Sequence, residues 1–213
     1  MPHRGRAPTP TLERLAIYFA VLTDLKRRQA VTISSADVEE RTGINAAQFR
    51  KDLSYFGEFG RPGIGYGVDE LYSAIARILK IEQAQPVLLV GAGNLGSALM
   101  GYPALRADSF RIVAAFDNNP GKIGEQLWDL TIRDVAYLIE DNKTCRAKIA
   151  IITVPAAAAQ DVAEQLVDAG IRNILNFAPV ALKLPADVIV RRVDFVQELA
   201  VLSFHLPDSN SGR

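Results

Sequence analysis

Cysteine and histidine are nearly absent from this chain. Cys145 is the only cysteine among 213 residues, and His3 and His205 stand near opposite ends. One thiol builds neither a disulfide framework nor a cysteine cage for zinc, and two histidines so far apart in sequence suggest no shared metal site. No stretch approaches the roughly 20 unbroken apolar residues of a membrane span, and Met1 to Pro10 lacks the apolar core of a secretory signal. The sequence therefore reads as soluble and cytoplasmic. Net charge is lacking too, with 24 basic residues against 24 acidic ones, but the balance hides an asymmetry. Residues 1 to 80 carry 12 Lys and Arg against 9 Asp and Glu, and residues 81 to 213 carry 12 against 15. So small an excess argues for nucleic acid only alongside a fold that could use it.

The patterning predicts two domains. Thr11 to Arg28 reads as a helix with Leu12, Leu15, Ile17, Phe19, Leu22 and Leu25 on a broad apolar face and basic residues at its C-terminus. Ser34 or Ser35 can cap a helix over Ala36 to Arg41, Gly43 stops it, and Asn45 caps a third over Ala46 to Phe56. The turn Thr42 to Asn45 has the length and glycine content of a helix-turn-helix. Gly57 to Gly67 is too glycine-rich for helix and predicts a β-hairpin, or wing, before a helix from Asp69 to about Lys80. Strand patterns then fall at Pro86 to Val90, Arg111 to Asp117, Lys148 to Val154, Asn173 to Phe177 and Val188 to Arg191. Helix patterns fall at Asn94 to Asp108, Arg133 to Asp141 and Ala156 to Ala169. The alternation implies an α/β fold with a parallel, doubly wound sheet, the Rossmann arrangement. Asp194 to Leu206 is a last helix, and the polar residues 207 to 213 read as disordered. The expected domains are 1 to 82, 83 to 192 and a C-terminal helix 193 to 206.

Gly91-Ala92-Gly93-Asn94-Leu95-Gly96 is G-x-G-x-x-G between a predicted strand and a predicted helix. In that setting Gly91 makes the tight turn, Gly93 lets the backbone approach a pyrophosphate, and Gly96 lets helix and strand pack closely. The plain alternative is a strand-to-helix turn with no ligand. Asp117 ends the second strand where a carboxylate accepts hydrogen bonds from an adenosine ribose, and its charge disfavours a 2'-phosphate, so NAD(H) is expected rather than NADP(H). Asn118 and Lys122 follow it as further cofactor candidates. Val154-Pro155 and Asn176-Phe177-Ala178-Pro179 sit at the C-terminal ends of later strands and border either the nicotinamide half or ordinary turns. A dehydrogenase needs a proton donor near the reacting carbon. Neither histidine lies near the glycine motif, and Tyr137 is followed four positions on by Asp141 rather than Lys. A cofactor bound without chemistry suggests sensing, not an enzyme.

On the third helix Phe49, Leu53 and Phe56 form an apolar stripe. The opposite face holds Gln48, Lys51 and Tyr55 flanked by Arg50 and Ser54, which read as donors for phosphates and base edges. Asp52 is discordant there and is expected to pair with a neighbouring cation. Arg61 at the wing tip suits a narrow minor groove, or else belongs to a mobile loop. A solvated basic face is the alternative for the whole helix.

Gln48-Phe49-Arg50-Lys51-Asp52-Leu53-Ser54-Tyr55-Phe56-Gly57, then Gly60, Gly63, Gly65 and Tyr66, resemble the Rex family of redox-sensing transcriptional repressors. Gly91 to Gly96, Gly101-Tyr102-Pro103, Phe116-Asp117, Thr153-Val154-Pro155, Asn176 to Pro179 and Val193-Asp194-Phe195 continue the resemblance in order. It implies a homodimer that exchanges its C-terminal helix, packed between the partner's two domains, with Phe195 against the partner's nicotinamide and Asp194 beside it. It also implies that the contacts of Tyr102 change with the cofactor, that Tyr66 adjoins the DNA, and that double-stranded operator DNA is bound in the empty or NAD+ state and released by NADH. In the family an Arg at the position of Ala20 often pairs with the acid equivalent to Asp194; Ala20 cannot make that pair. Two rivals remain: an NAD-dependent enzyme with a basic association domain, and a CoA-binding regulator.

Overall fold

The chain, seen in a computed structural model that describes residues 7–61, 63–105 and 109–206, divides into two compact units, Met1–Gln83 and Ala84–Arg213. In the first, α1 (Thr9–Arg27) packs against α4 (Val68–Leu79), with α2 (Ser35–Thr42) and α3 (Ala46–Ser54) between them in the chain. The buried row of α1 is Thr11, Leu15, Tyr18, Leu22 and Leu25, whereas Leu12 and Ile17 are exposed. The apolar face expected from the sequence is therefore rotated, because Tyr18 and Thr11 have a buried polar partner. Ser34 caps α2 through a reciprocal pairing with Asp37, Gly43 ends it at φ 69°, and the Asn45 side chain accepts from the Ala47 amide at 2.8 Å. Tyr18 meets Phe49 edge-on at 4.8 Å, and Leu53, Val68, Leu71 and Ile75 complete the core.

The expected hairpin is much reduced. Arg61 and Gly65 form a single bridge, and β2 (Tyr66–Gly67) pairs antiparallel with β1 (Thr32–Ile33), upstream of the two middle helices. Glycine makes this close approach possible: a Cβ on Gly65 would stand 2.7 Å from the Ile33 carbonyl oxygen, at φ +92°.

The second unit is one sheet with order β5-β6-β4-β3-β7-β8-β9, formed by β3 (Gln85–Val90), β4 (Phe110–Asp117), β5 (Gln126–Leu127), β6 (Leu130–Asp134), β7 (Ile149–Ile152), β8 (Asn173–Asn176) and β9 (Ile189–Arg192). All pairs are parallel except β5 with β6. Without β5, this is the Rossmann order, with its switch point between β3 and β7. Both faces are covered, as continuous apolar strands require. Leu88, Val90, Phe116, Ala150 and Ile152 pack on one side against Ala159, Ala163 and Leu166 of α7 (Ala156–Asp168), while Val87, Leu89, Ala115 and Ile151 form the other.

Several boundaries differ from the sequence expectation: α3 stops at Ser54 rather than Phe56, and the larger differences lie in the second unit. Arg133 lies in β6, not at a helix start, and α6 runs Leu138–Cys145 after a short 3-10 turn; β5 and β6 together form a hairpin whose short strands carry little apolar signal. The helix after the glycine motif, α5 (Asn94–Gly101), is shorter than expected and gives way to a 3-10 turn at Pro103–Leu105. α8 spans Phe195–Ser203, capped by Asp194. The expected disorder of residues 207 to 213 falls outside the described residues.

Candidate dinucleotide and nucleic-acid sites

The glycine loop leaves β3 at the switch point. Gly91 takes φ +103°, and a Cβ there would lie 2.8 Å from the Thr153 backbone. A Cβ on Gly96 would lie 1.9 Å from the Gly91 carbonyl oxygen, so loop and helix are in direct backbone contact. Gly93 is different: a Cβ there meets nothing within 4 Å. Its face is open, the condition a pyrophosphate on the N-terminus of α5 demands. Asn94 and Leu95 open that helix. Thr153, which the sequence reading did not single out as a site residue, clamps the loop by donating its hydroxyl to the Gly91 carbonyl at 2.7 Å.

Asp117 sits at the end of β4, 8% exposed. Its carboxylate accepts from the Ala92 amide at 2.8 Å and the Asn119 amide at 2.9 Å, with Lys122 Nζ at 3.4 Å. Burial pushes this carboxyl up, yet the amides of Asn119 and Ala92 and the Lys122 charge outweigh it and hold the pKa below the ordinary 3.8. Asp117 is thus an ionised strut of the loop as well as a candidate ribose acceptor. A cleft of about 820 Å³ lies over these groups, lined by Gly91, Gly93, Asp117, Asn118, Lys122 and Val154-Pro155 among others.

The other cofactor candidates do not all reach this cleft. Asn176 is 1% exposed, and its amide is spent on the backbone of Ala178 and Val180. It positions the loop rather than presenting a free group, and Ala178 is equally buried. Phe177 faces Phe195 with ring centroids 6.1 Å apart. Asp194 caps α8, accepting from the Val196 and Gln197 amides at 3.1 Å, and Arg192 stands 3.6 Å from its other oxygen, a cation close by where Ala20 supplies none. Tyr102 closes α5 and is exposed.

In the first unit the polar face of α3 is present, with a correction. Asp52 is 0% exposed and does pair with a cation, Arg14, through two hydrogen bonds of 2.6 and 2.7 Å. It also accepts from Thr11 at 3.1 Å, Tyr18 at 2.9 Å and Gln48 Nε2 at 2.9 Å. Gln48, expected to donate outward, donates inward. The missed signal was the row Thr11, Arg14 and Tyr18, three polar groups on one face of α1. Burial pushes the Asp52 carboxyl up, and the bonds from Arg14, Tyr18 and Gln48 hold it below the ordinary value. Arg50 reaches Ser35 at 2.8 Å, Ser54 returns to the Lys51 carbonyl, and Lys51 and Tyr55 are exposed. Arg61 is exposed at the wing turn. Tyr66, expected at the DNA, meets Phe49 edge-on with ring centroids 5.2 Å apart and closes against Gly60, so its ring is held by packing.

A helix-turn-helix reader with a short wing, carried on the same chain as a Rossmann unit with an open glycine cradle, defines a ligand-responsive DNA-binding regulator. Residues 6–54 match the family described as "Putative DNA-binding protein N-terminus", and residues 82–180 match the one described as CoA binding domain. The chain is 45% identical to the redox-sensing transcriptional repressor Rex of Carboxydothermus hydrogenoformans, over 94% of this chain and 97% of that one. It is 46% identical to the Rex repressor of Chloroflexus aurantiacus, over 93% and 94%. A crystal structure of a protein called RSP, in complex with beta-NAD+ and operator DNA, superposes with a TM-score of 0.86 at 34% identity, covering 94% of this chain and 93% of that one. RSP in complex with beta-NADH gives 0.83 at 33% identity, covering 94% of each. The chain belongs to the Rex family of redox-sensing transcriptional repressors. Its relatives are named repressors, and it is a regulator rather than an enzyme.

Proposed function

We propose that this chain is a homodimeric repressor that binds a palindromic operator when empty or loaded with NAD+ and leaves it when NADH binds. The observation that carries this reading is the similarity over 94% of the chain to a protein crystallised with beta-NAD+ and operator DNA together. Residues 1 to 82 act as the reader and 83 to 192 as the sensor. Residues 193 to 206 form the helix exchanged between protomers.

The physics of the exchange lies in α8. Phe195, Val196, Leu199, Val201 and Leu202 are each more than half exposed, and no residue of the helix is buried. A helix that shows this much apolar surface, broken by Gln197, Glu198 and Ser203, belongs against another protein surface, and a second copy supplies it. The redox response follows from charge. NAD+ carries a cationic ring and NADH a neutral one, and a pocket closed by Phe195 favours the neutral ring because burying an unpaired cation is costly. A ligand that binds one dimer arrangement better shifts the population toward it. A protein reading both genomic DNA and the intracellular dinucleotide pool works in the cytoplasm.

The test is operator binding titrated separately with NADH and NAD+. NADH is expected to release the DNA at concentrations where NAD+ does not; equal responses to both would overturn the redox reading. A CoA ligand has one observation in its favour, the family description over residues 82–180. CoA carries a 3'-phosphate on its adenosine ribose, however, and the ionised Asp117 opposes a phosphate there. Calorimetry with NADH and CoA side by side decides between them.

A further inference from the structure

We infer that Gln48 recognises an exocyclic amino group in the major groove, adenine N6 or cytosine N4, through its amide oxygen, and that Asp52 is the positioning residue that turns this oxygen outward. The inference rests on the operator-binding reading and deepens it.

Asp52 lies wholly buried at the meeting of α1 and α3 and receives five hydrogen bonds on two oxygens. Two of them come from Arg14, so the carboxylate stays ionised and can only accept. Any group that faces it must donate. Gln48 meets this condition with Nε2 at 2.9 Å from Oδ1. The amide is planar and carries its oxygen on the other arm; one N–H is committed to Asp52, and Oε1, which an acceptor-only carboxylate cannot bond, is the arm turned toward a ligand. Gln48 is the third residue of α3 and half-buried, and the first turn of a recognition helix is the part that reaches base edges.

An outward acceptor narrows what can be read. Phosphates offer no donor to this oxygen. In the major groove guanine presents only acceptors, and thymine an acceptor and a methyl group; adenine N6 and cytosine N4 are the donors. Asp52 takes one of the two N–H groups of Nε2, and the second can donate to adenine N7. Adenine can therefore be held through both arms of the amide, and cytosine through the oxygen alone.

The experiment uses the full chain and an operator selected from random duplexes by the wild type. Each adenine is replaced in turn by purine, which lacks the N6 amino group, and each cytosine by 2-pyrimidinone, which lacks N4. One replacement per half-site is expected to weaken wild type about tenfold and to leave Gln48→Ala unaffected. Asp52→Asn, which can turn a donor toward Gln48, should lower the amino-group dependence while the salt slope of binding stays unchanged. Amino deletions that cost wild type and Gln48→Ala alike would overturn the inference. A wild type that selects no duplex overturns the operator reading beneath it.

Discussion

The two units of this chain treat their awkward groups in opposite ways. In the first, the residue out of place is a charge: Asp52 sits in the core with no exposure, and five donors from α1 and α3 satisfy it within the chain. In the second, what is out of place is apolar: α8 displays Phe195, Val196, Leu199, Val201 and Leu202 and buries none of them. A buried charge that finds every partner at home marks a reader complete in one chain. Bare apolar surface fits the sensor proposed above, in which a second copy covers α8. The sensor's other opening, the free face of Gly93, waits for a small molecule instead.

The sharpest break in this comparison comes from α8. Leu199→Glu combined with Leu202→Glu is expected to convert a dimer into a folded monomer with operator affinity close to the non-specific level, checked by sedimentation and by binding to full and half operators. An unchanged dimer would assign α8 another partner.

Next in size is Asp52→Ala. Removing one partner of a buried pair leaves Arg14 unpaired, and the first unit should lose about 3–5 kcal/mol, read from chemical denaturation. The pH dependence has a definite sign. The folded pKa of Asp52 lies below the ordinary 3.8, so its stabilisation is complete above about pH 4 and falls as the pH drops through the depressed value. The gap between wild type and variant should narrow there, and a gap constant to the acid limit would show that the loss is of packing rather than charge.

Gly93→Asp places a carboxylate where the pyrophosphate belongs while meeting no neighbour within 4 Å. NADH affinity should fall about a hundredfold or more, measured by calorimetry, with melting temperature and operator binding retained. Retained affinity would move the dinucleotide away from this loop. The smallest effect is Lys51→Ala, an exposed cation on the reading face. It is expected to reduce the salt slope of operator binding by about one, and a slope identical to wild type would remove Lys51 from the phosphate contacts.

Local pattern made much of this legible. The caps at Ser34 and Asn45, the left-handed Gly43 and the glycine loop all depend on residues within a few positions of one another, and their geometry followed from their spelling. The parallel order was legible as a class because apolar strands buried on both faces alternate with helices. The β5–β6 hairpin was not, since two short strands at a sheet edge leave almost no periodicity to read.

What the sequence alone determined is therefore the kind of protein: a helix-turn-helix followed by a Rossmann loop, each announced by contiguous residues whose backbone preferences are local. Tertiary structure alone decided what several of those residues do. Asp52 meets Arg14 across 38 positions and Thr11 across 41, so no window along the chain could show that Gln48 spends its donor inward. Asn176 became a brace for its own loop, and Tyr66 a packing ring, because the space and partners around them were set elsewhere. A polar side chain has one set of donors and acceptors, and burial decides which neighbour claims them. That choice is made by the fold's long-range contacts, after the local pattern has already fixed the elements that carry the residue.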